Sequence, residues 1–475
     1  MIATTLGAVA ATTAGKLGGG ATAISVVPGP VEFDSRQVTP GCLFLALPGE
    51  QVDGHDYVGG AIADGAVAAL VTRPVGHPHV VVEDGLLALG ALAAASVRGL
   101  PHLTTIGITG SSGKTSTKDL VGELLGRLGP TLAPRESFNN ELGHPYTVLK
   151  ADTETRYLVL ELSARGVGHI RYLAGIAPPR IGVVLNVGSA HLGGFGSRAA
   201  IAQAKGELVE ALPLAADGGV AVLNVDDPVV AAMAARTGAR VVTVGESGTA
   251  QVAARDVTLD QLGRASFRLV TEHGEQPIAL RLTGAHHVGN VLAAAAVAME
   301  CGLPLADIAE TLSASVPLSK SRMAVSERAD GVVIVDDAYN ANPESMRAAL
   351  KTLVAMGRGR RTWAVLGEMA ELGEAGAAAH DELGRLAVRL NVSQLLAVGA
   401  GARRIAQAAA LEGSWDGEAE WRPDLASALE LLRERLTPGD VVLVKASNSV
   451  GLAKLAAAVR DDLSERSDRR SGGES

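Results

Sequence analysis

The chain of 475 residues is long enough for about three domains, and its 47% hydrophobic and 20% charged residues describe a globular protein with sizeable cores. A net charge of −9 argues against general nucleic-acid binding, no run approaches the roughly 18 apolar residues of a membrane span, and Cys42 and Cys301 have neither disulfide-scaffold nor zinc-ligand spacing. Aromatic residues make up only 3%, so the cores must be built from Ala, Val and Leu, and an unanchored cytoplasmic enzyme is expected.

Residues 1–100 read as a small α/β unit. Leu43–Leu47, Ala68–Val71 and His79–Glu83 have the length and composition of strands, whereas Tyr57–Ala63 and Leu86–Val97 carry helical spacing. Between them lie Asp34-Ser35-Arg36 and the turn pairs Pro40-Gly41, Pro48-Gly49 and Asp53-Gly54, which on their own are equally compatible with surface loops.

A boundary falls near Gly99-Leu100-Pro101, and TTIGITGSSGKTSTKD follows at 104–119. An apolar run ending in Thr109 predicts a buried strand, Gly110-Ser111-Ser112-Gly113 the turn, and Lys114-Thr115-Ser116 the start of a helix with Leu120, Leu124, Leu125 and Leu128 at helical spacing. This is a phosphate cradle. Glycines let backbone N–H groups approach anionic oxygens, the helix N-terminus adds partial positive charge, Lys114 reaches outer phosphates, and the Thr115 hydroxyl suits Mg2+. The general pattern has four residues between its glycines; here there are two, a short variant.

Strands are expected at Tyr157–Leu162, Ile181–Val187 and Val220–Asn224, alternating with helices to about residue 320 in a mainly parallel sheet of P-loop ATPase type. Glu161, Asn186 and the following His191 fall at strand carboxyl ends, where open α/β sheets bind ligands, and read as a Mg2+ and substrate site. Lys205, in the helix SRAAIAQAKGELVEAL, is on spacing alone a snorkelling lysine, with a functional amine of lowered pKa as the alternative. GAHHVGN opens an Ala-rich helix, and the adjacent His286 and His287 do not share a helix face, which argues against a metal pair.

From Ser321-Arg322 a third domain opens with GVVIVDDAYNANPESM, a strand, an acidic end and an Asn-Pro before the next helix. TWAVLGEM, QLLAVGAG and GDVVLVKAS add strands with helical periodicity after each, a Rossmann-like arrangement reaching about residue 465. The polar segment 466–475 has no hydrophobic period and is expected to be disordered.

TGSSGKT, NNELGHP, LVLELSARGVGHI, NVGSAHLGGFGS, AKGEL, NVDD, GAHHVGN and DDAYNANPESM occur in the order seen in the Mur ligases of peptidoglycan synthesis, which the chain resembles over nearly its full length. DSRQVTPGCLFLALPGEQVDGHDYV, DDAYNANPESM and LGEMAELG make it most similar to the branch that adds D-alanyl-D-alanine to UDP-N-acetylmuramoyl-tripeptide. The resemblance implies three α/β domains: 1–100 for the UDP-sugar, 101–320 for ATP, and 321–465 closing over both. It implies an acyl-phosphate mechanism with ATP, two Mg2+ ions and a carbamylated lysine. Small-molecule substrates and a monomer are expected, with no nucleic acid.

Carried residue by residue, the resemblance puts Ser35, Arg36, Asp53, Gly54 and His55 toward the UDP-sugar, and Asn139, Asn140, Ser163, Ser447 and Asn448 on the substrate side. Gly110, Ser111, Ser112, Gly113, Lys114, Thr115 and Ser116 would hold phosphates, while Asn290, Arg322, Asp337, Tyr339 and Asn340 would contact the rest of the nucleotide. Thr115, Glu161, His191 and carbamylated Lys205 would serve the metal ions, and Lys114, Glu161, His191 and Lys205 the chemistry. Two departures stand out. Ser321 replaces a common Gly, a change expected to matter little, and Asn448 replaces the Arg usual after the Ser, which removes a charge expected near the dipeptide. Competing readings are another Mur ligase, a folylpolyglutamate synthase-like ligase, a P-loop phosphotransferase, or an inactive scaffold.

Overall fold

Strands covered on both faces need apolar residues at successive positions, and Thr104–Thr109, Tyr157–Glu161, Ile181–Val184 and Val220–Asn224 meet that demand. The structure, a computed structural model, describes the chain except residues 50–51, 135–136, 189–191, 413–417 and 472–475; of Leu192 and residues 463–471 it describes the backbone alone. Within the described residues these strands belong to a nine-stranded sheet. Its order runs Gly274–Thr283, Arg264–Thr271, Val252–Leu259, Arg240–Gly245, Val220–Asn224, Ile181–Val184, Thr104–Thr109, Tyr157–Glu161, Thr131–Leu132.

The pairing is parallel from Thr131–Leu132 through Val252–Leu259 and antiparallel across the last three strands. That antiparallel extension corrects the reading of strands alternating with helices up to residue 320. The signal was present. Arg264–Thr271 alternates buried and exposed side chains along most of its length, as a strand with one wet face does.

Alternation along the inner strands divides the core into two layers. Leu158 and Leu160 pack into a cluster shared with Leu43, Leu45, Leu70 and Leu89 of the N-terminal domain, while Tyr157 and Val159 face the helices Lys114–Gly126 and His287–Glu300. The second helix is buried nearly all round, and its run of alanines lets it lie close to sheet and helix together. This is how a chain so poor in aromatics fills the core on this face of the sheet. The parity that turns Val159 toward the Lys114–Gly126 helix also turns Glu161 there.

The N-terminal sheet has the order Lys16–Gly18, His79–Val81, Ala68–Val71, Leu43–Leu45, Val31–Glu32. Its junction with the central domain buries Glu32, whose Oε2 accepts a hydrogen bond from the Tyr146 hydroxyl at 2.9 Å, with Phe33 and Phe138 edge-on to the Tyr146 ring. Removing a donor from a buried carboxylate costs about 1–3 kcal/mol, so this contact fastens two domains at one point.

The C-terminal sheet runs Ala324–Glu327, Val333–Asp336, Val441–Lys445, Thr362–Leu366, Gln394–Val398, Ala419–Arg422, parallel except for its first pair. Asn342 caps the helix Pro343–Met356 in a reciprocal box with Ser345, as the Asn-Pro pair suggests. The last helix, Leu452–Ser471, runs into the segment expected to be disordered from 466. Glu and Arg are good helix formers, and extending a helix already nucleated on the sheet needs no apolar face.

Candidate active site

Register sets the site. Glu161 pairs with Ile108, so its strand ends beside the one that feeds the phosphate loop. The loop is shaped by its neighbour: Ser111 N donates to Asn186 O (3.1 Å), Ser112 N to Asn186 Oδ1 (3.0 Å), and Asn186 Nδ2 to Ser112 O (3.2 Å). Asn186, read from sequence as a metal or substrate ligand, instead uses both ends of its amide to hold the loop. Gly113 lies at φ +83°, and a Cβ there would fall 2.4 Å from Asn290 Oδ1, so any other residue is strained at this position. Lys114 Nζ folds back onto Gly110 O at 2.7 Å.

Behind the loop, Glu161 is buried, and its Oε2 accepts from Ser137 Oγ (2.9 Å) and Asn139 Nδ2 (3.2 Å). Ser137 Oγ also lies 3.2 Å from Thr115 Oγ1. The other oxygen, Oε1, has no hydrogen-bond partner among the described residues; the fully buried Lys118 Nζ stands 4.0 Å away, paired with Asp119 at 2.9 Å and bonded to Pro134 O. A buried carboxylate oxygen left open beside a threonine hydroxyl and a phosphate loop fits a Mg2+ ion, which takes one or two protein oxygens and completes its shell with water and phosphate. Among the described residues no cluster of three His, Cys, Asp or Glu side chains forms a self-sufficient cage.

His191 lies outside the described residues. Lys205 sits on the helix Arg198–Glu210, buried and not lining the cavity; burial first, then the positive charge of Lys114, holds its amine well below the usual lysine range. Burial likewise lowers Lys114, with Glu161 acting in the opposite direction.

The C-terminal domain supplies the facing wall. Arg322 donates from Nη2 to Thr115 Oγ1 (3.0 Å) and stacks over the Tyr339 ring at 4.2 Å. Lys445 Nζ is held by Asp337 Oδ2 (2.6 Å) and Asn340 O (2.8 Å), and Asn342 Nδ2 reaches Ser111 O at 3.3 Å. Ser321 adopts φ +53°, the region that favours glycine, and its Oγ donates to Asp336 Oδ2 at 2.8 Å. The Ser in place of Gly therefore carries backbone strain offset by a hydrogen bond, more consequence than the sequence reading gave it.

Together these groups enclose a cavity of about 440 Å3, within the range of small-molecule sites, lined from Ser111–Ser116, Asn139, Asn140, Glu161 and Ser163 across to Asn290, Arg322, Asp337, Tyr339, Asn340 and Asn448. His286 and His287 also line it, with ring centroids 4.4 Å apart, because His286 precedes the helix and escapes its spacing. Gly110 and Ser447 stand just outside; Ser447 Oγ accepts from Ala370 N at 2.9 Å.

Ser35, Arg36, Asp53, Gly54 and His55 do not line this cavity but sit on the N-terminal domain. Arg36 is exposed and forks onto Asp34, which its hydrogen bonds hold at about 2. His55 is buried, its Nδ1 bonded to Asp53 (2.6 Å) and its Nε2 accepting from Thr72 N (3.0 Å), so the ring braces the loop. Sequence reasoning missed Ser137, Lys118 and Arg165. Lys118 left one trace, a second lysine one turn after Lys114, and Ser137 left none.

Family models match in three consecutive segments: the Mur ligase family catalytic domain at 30–101, the Mur ligase middle domain at 108–298, and the Mur ligase glutamate ligase domain at 321–448. A UDP-N-acetylmuramoyl-tripeptide–D-alanyl-D-alanine ligase of Mycobacterium tuberculosis is 52% identical, covering 92% of this chain and 93% of its own; one from Escherichia coli is 35% identical, covering 91% and 94%. A crystal structure of MurF from Acinetobacter baumannii superposes with a TM-score of 0.87 at 33% identity, covering 97% of this chain and 99% of that one. MurF ligase from Thermotoga maritima in complex with ADP gives 0.78 at 29%, covering 92% and 98%.

Gly113→Ala tests the cradle. A left-handed alanine costs about 1–2 kcal/mol before the clash with Asn290, and relief requires the loop N–H groups to move. Calorimetric titration with a non-hydrolysable ATP analogue should show affinity lowered about tenfold or more. Unchanged affinity would mean the loop does not hold phosphates.

Proposed function

The chain belongs to the Mur ligase family, and from that premise we propose that it joins D-alanyl-D-alanine to UDP-N-acetylmuramoyl-tripeptide at the expense of ATP, releasing ADP and phosphate. It is an ATP-dependent ligase. The observation that carries the reading is a single cavity in which a phosphate loop and an open buried carboxylate face a wall from a second domain. A plain NTPase needs the first half only.

A carboxylate is a poor acyl donor because oxide would have to leave. Transfer of the γ-phosphoryl group to the tripeptide's terminal carboxylate makes phosphate the leaving group; the acceptor amine then attacks the acyl carbon, loses a proton, and the C–O bond to phosphate breaks. Lys114, swung from Gly110 O, neutralises charge on the transferring group, and the N–H groups from Gly113 to Thr115, at the start of the helix, hold the phosphates. Mg2+ held by Thr115 Oγ1 and Glu161 Oε1, with a second ion near His191, would supply further charge neutralisation on the phosphate oxygens. Arg322 and Tyr339 position the nucleotide, and Asn342 on Ser111 O draws the C-terminal domain over the loop, excluding water that would hydrolyse an acyl phosphate.

Lys205 fits carbamylation. CO2 adds to the neutral form of an amine, and the lowered pKa keeps more of this one neutral near pH 7; the product is an anionic group able to serve a metal. Ser35, Arg36, Asp53, Gly54 and His55, on the N-terminal domain, would serve the UDP-sugar. The enzyme acts in the cytoplasm as a monomer; among the described residues no helix is long and apolar enough to cross a membrane.

Incubation with ATP, Mg2+, the UDP-muramoyl-tripeptide and D-alanyl-D-alanine should yield the UDP-muramoyl-pentapeptide by mass spectrometry, and phosphate release independent of both substrates would replace the ligase with an NTPase. Lys205→Ala should be nearly inactive and partly rescued by short-chain carboxylic acids. Full activity of that variant would return Lys205 to a packing role.

A further inference from the structure

The acceptor dipeptide carries its amine at one end and a carboxylate at the other, about 7 Å away when extended. With the amine at the acyl phosphate, the carboxylate comes to rest away from the phosphate loop, at the rim, and calls for a cation there. Among the described residues lining the cavity, the lysines and arginines are Lys114, Arg165, Arg322 and Lys445. Lys114 lies on the phosphate loop, Arg322 is bonded to Thr115 and stacked on Tyr339, and Lys445 is enclosed by Asp337 and Asn340.

Arg165 differs. Its side chain is 71% exposed, and the carboxylate it faces, Glu371 Oε1, is 3.9 Å away, too far for a hydrogen bond. Glu371 lines the same cavity as Asn448: it stands at φ +63°, its carbonyl accepts from Gly193 N at 3.2 Å, and the preceding segment is tied to the one bearing Asn448, with Ser447 N donating to Glu368 O (3.0 Å) and Ala370 N to Ser447 Oγ (2.9 Å). Arg165 thus reaches, from the loop after Tyr157–Glu161, toward a wall whose cavity-lining residue Asn448 has no charge of its own.

We infer that Arg165 is a specificity-determining residue that grips the carboxylate of the acceptor dipeptide, the guanidinium turning from Glu371 to the incoming anion. The fork geometry of Arg matches a carboxylate, and its place on the central domain means acceptor binding ties that domain to the C-terminal one across the cavity. This rests on the ligase reading above.

The test compares wild type, Arg165→Gln and Arg165→Lys with two acceptors, D-alanyl-D-alanine and its C-terminal amide, which lacks the charge. Arg165→Gln should raise KM for the dipeptide about tenfold, leave KM for ATP and for the UDP-muramoyl-tripeptide within about twofold, and leave KM for the amide as in wild type; Arg165→Lys should fall between. Adding Asn448→Arg to Arg165→Gln should recover part of the loss. Equal increases for both acceptors would overturn the assignment in favour of a structural role, and an increase for the UDP-muramoyl-tripeptide alone would reassign the arginine to a donor carboxylate. A wild-type chain forming no product with the dipeptide would instead bring down the ligase reading itself.

Discussion

Everything in the site depends on one backbone constraint. Between a buried strand and a helix, Gly110 to Gly113 must reverse the chain and deliver it into the helix that starts at Lys114, with Gly113 left-handed against Asn290. Asn186 from the adjacent parallel strand fixes the middle of the turn, and Asn342 from the third domain reaches its carbonyl edge at Ser111. Three segments far apart in sequence thus converge on four residues, and the positions of Lys114, Thr115 and Glu161 follow from that convergence.

Charge is the second organising constraint. Lys118 is buried 4.0 Å from the buried carboxylate of Glu161 and paired with Asp119, whose carboxyl burial pushes above its ordinary value, while the buried Lys205 feels the positive charge of Lys114. Such a concentration of desolvated amines disfavours the charged state of the one without a carboxylate neighbour to offset it, and Lys205 is that one: burial and Lys114 both act to lower its pKa. The same electrostatics that would be a liability in an inert core keeps more of the Lys205 amine neutral, the form that the proposed carbamylation needs.

Much of this was legible in the residues. Thr104–Thr109 and Val220–Asn224 have the bounds their apolar runs predict, and the phosphate loop announces itself by composition and place. Glu161 is legible as a polar residue at the end of an apolar strand. What escaped is what tertiary contact decides. Nothing in the sequence distinguishes Asn186 as a brace from Asn186 as a ligand, because the difference lies in whether Ser112 is within reach. Ser137 joins the Glu161 network through a pairing twenty-four residues apart, and Arg165 faces Glu371 only because two domains meet. The antiparallel strands from Val252 to Thr283 escaped for a different reason: a period-2 pattern is present in Arg264–Thr271 and the second half of Gly274–Thr283, and the expectation of helices between strands masked it.

The central claim is that the phosphate cradle activates a carboxylate rather than releasing phosphate to water. Supplying UDP-muramoyl-tripeptide with 18O in its terminal carboxylate and following the label by mass spectrometry tests it most directly. Attack of that carboxylate on ATP, followed by amine attack at carbon, predicts one 18O atom in each phosphate released and one retained in the new amide carbonyl. Phosphate free of label would contradict acyl-phosphate formation in this cavity.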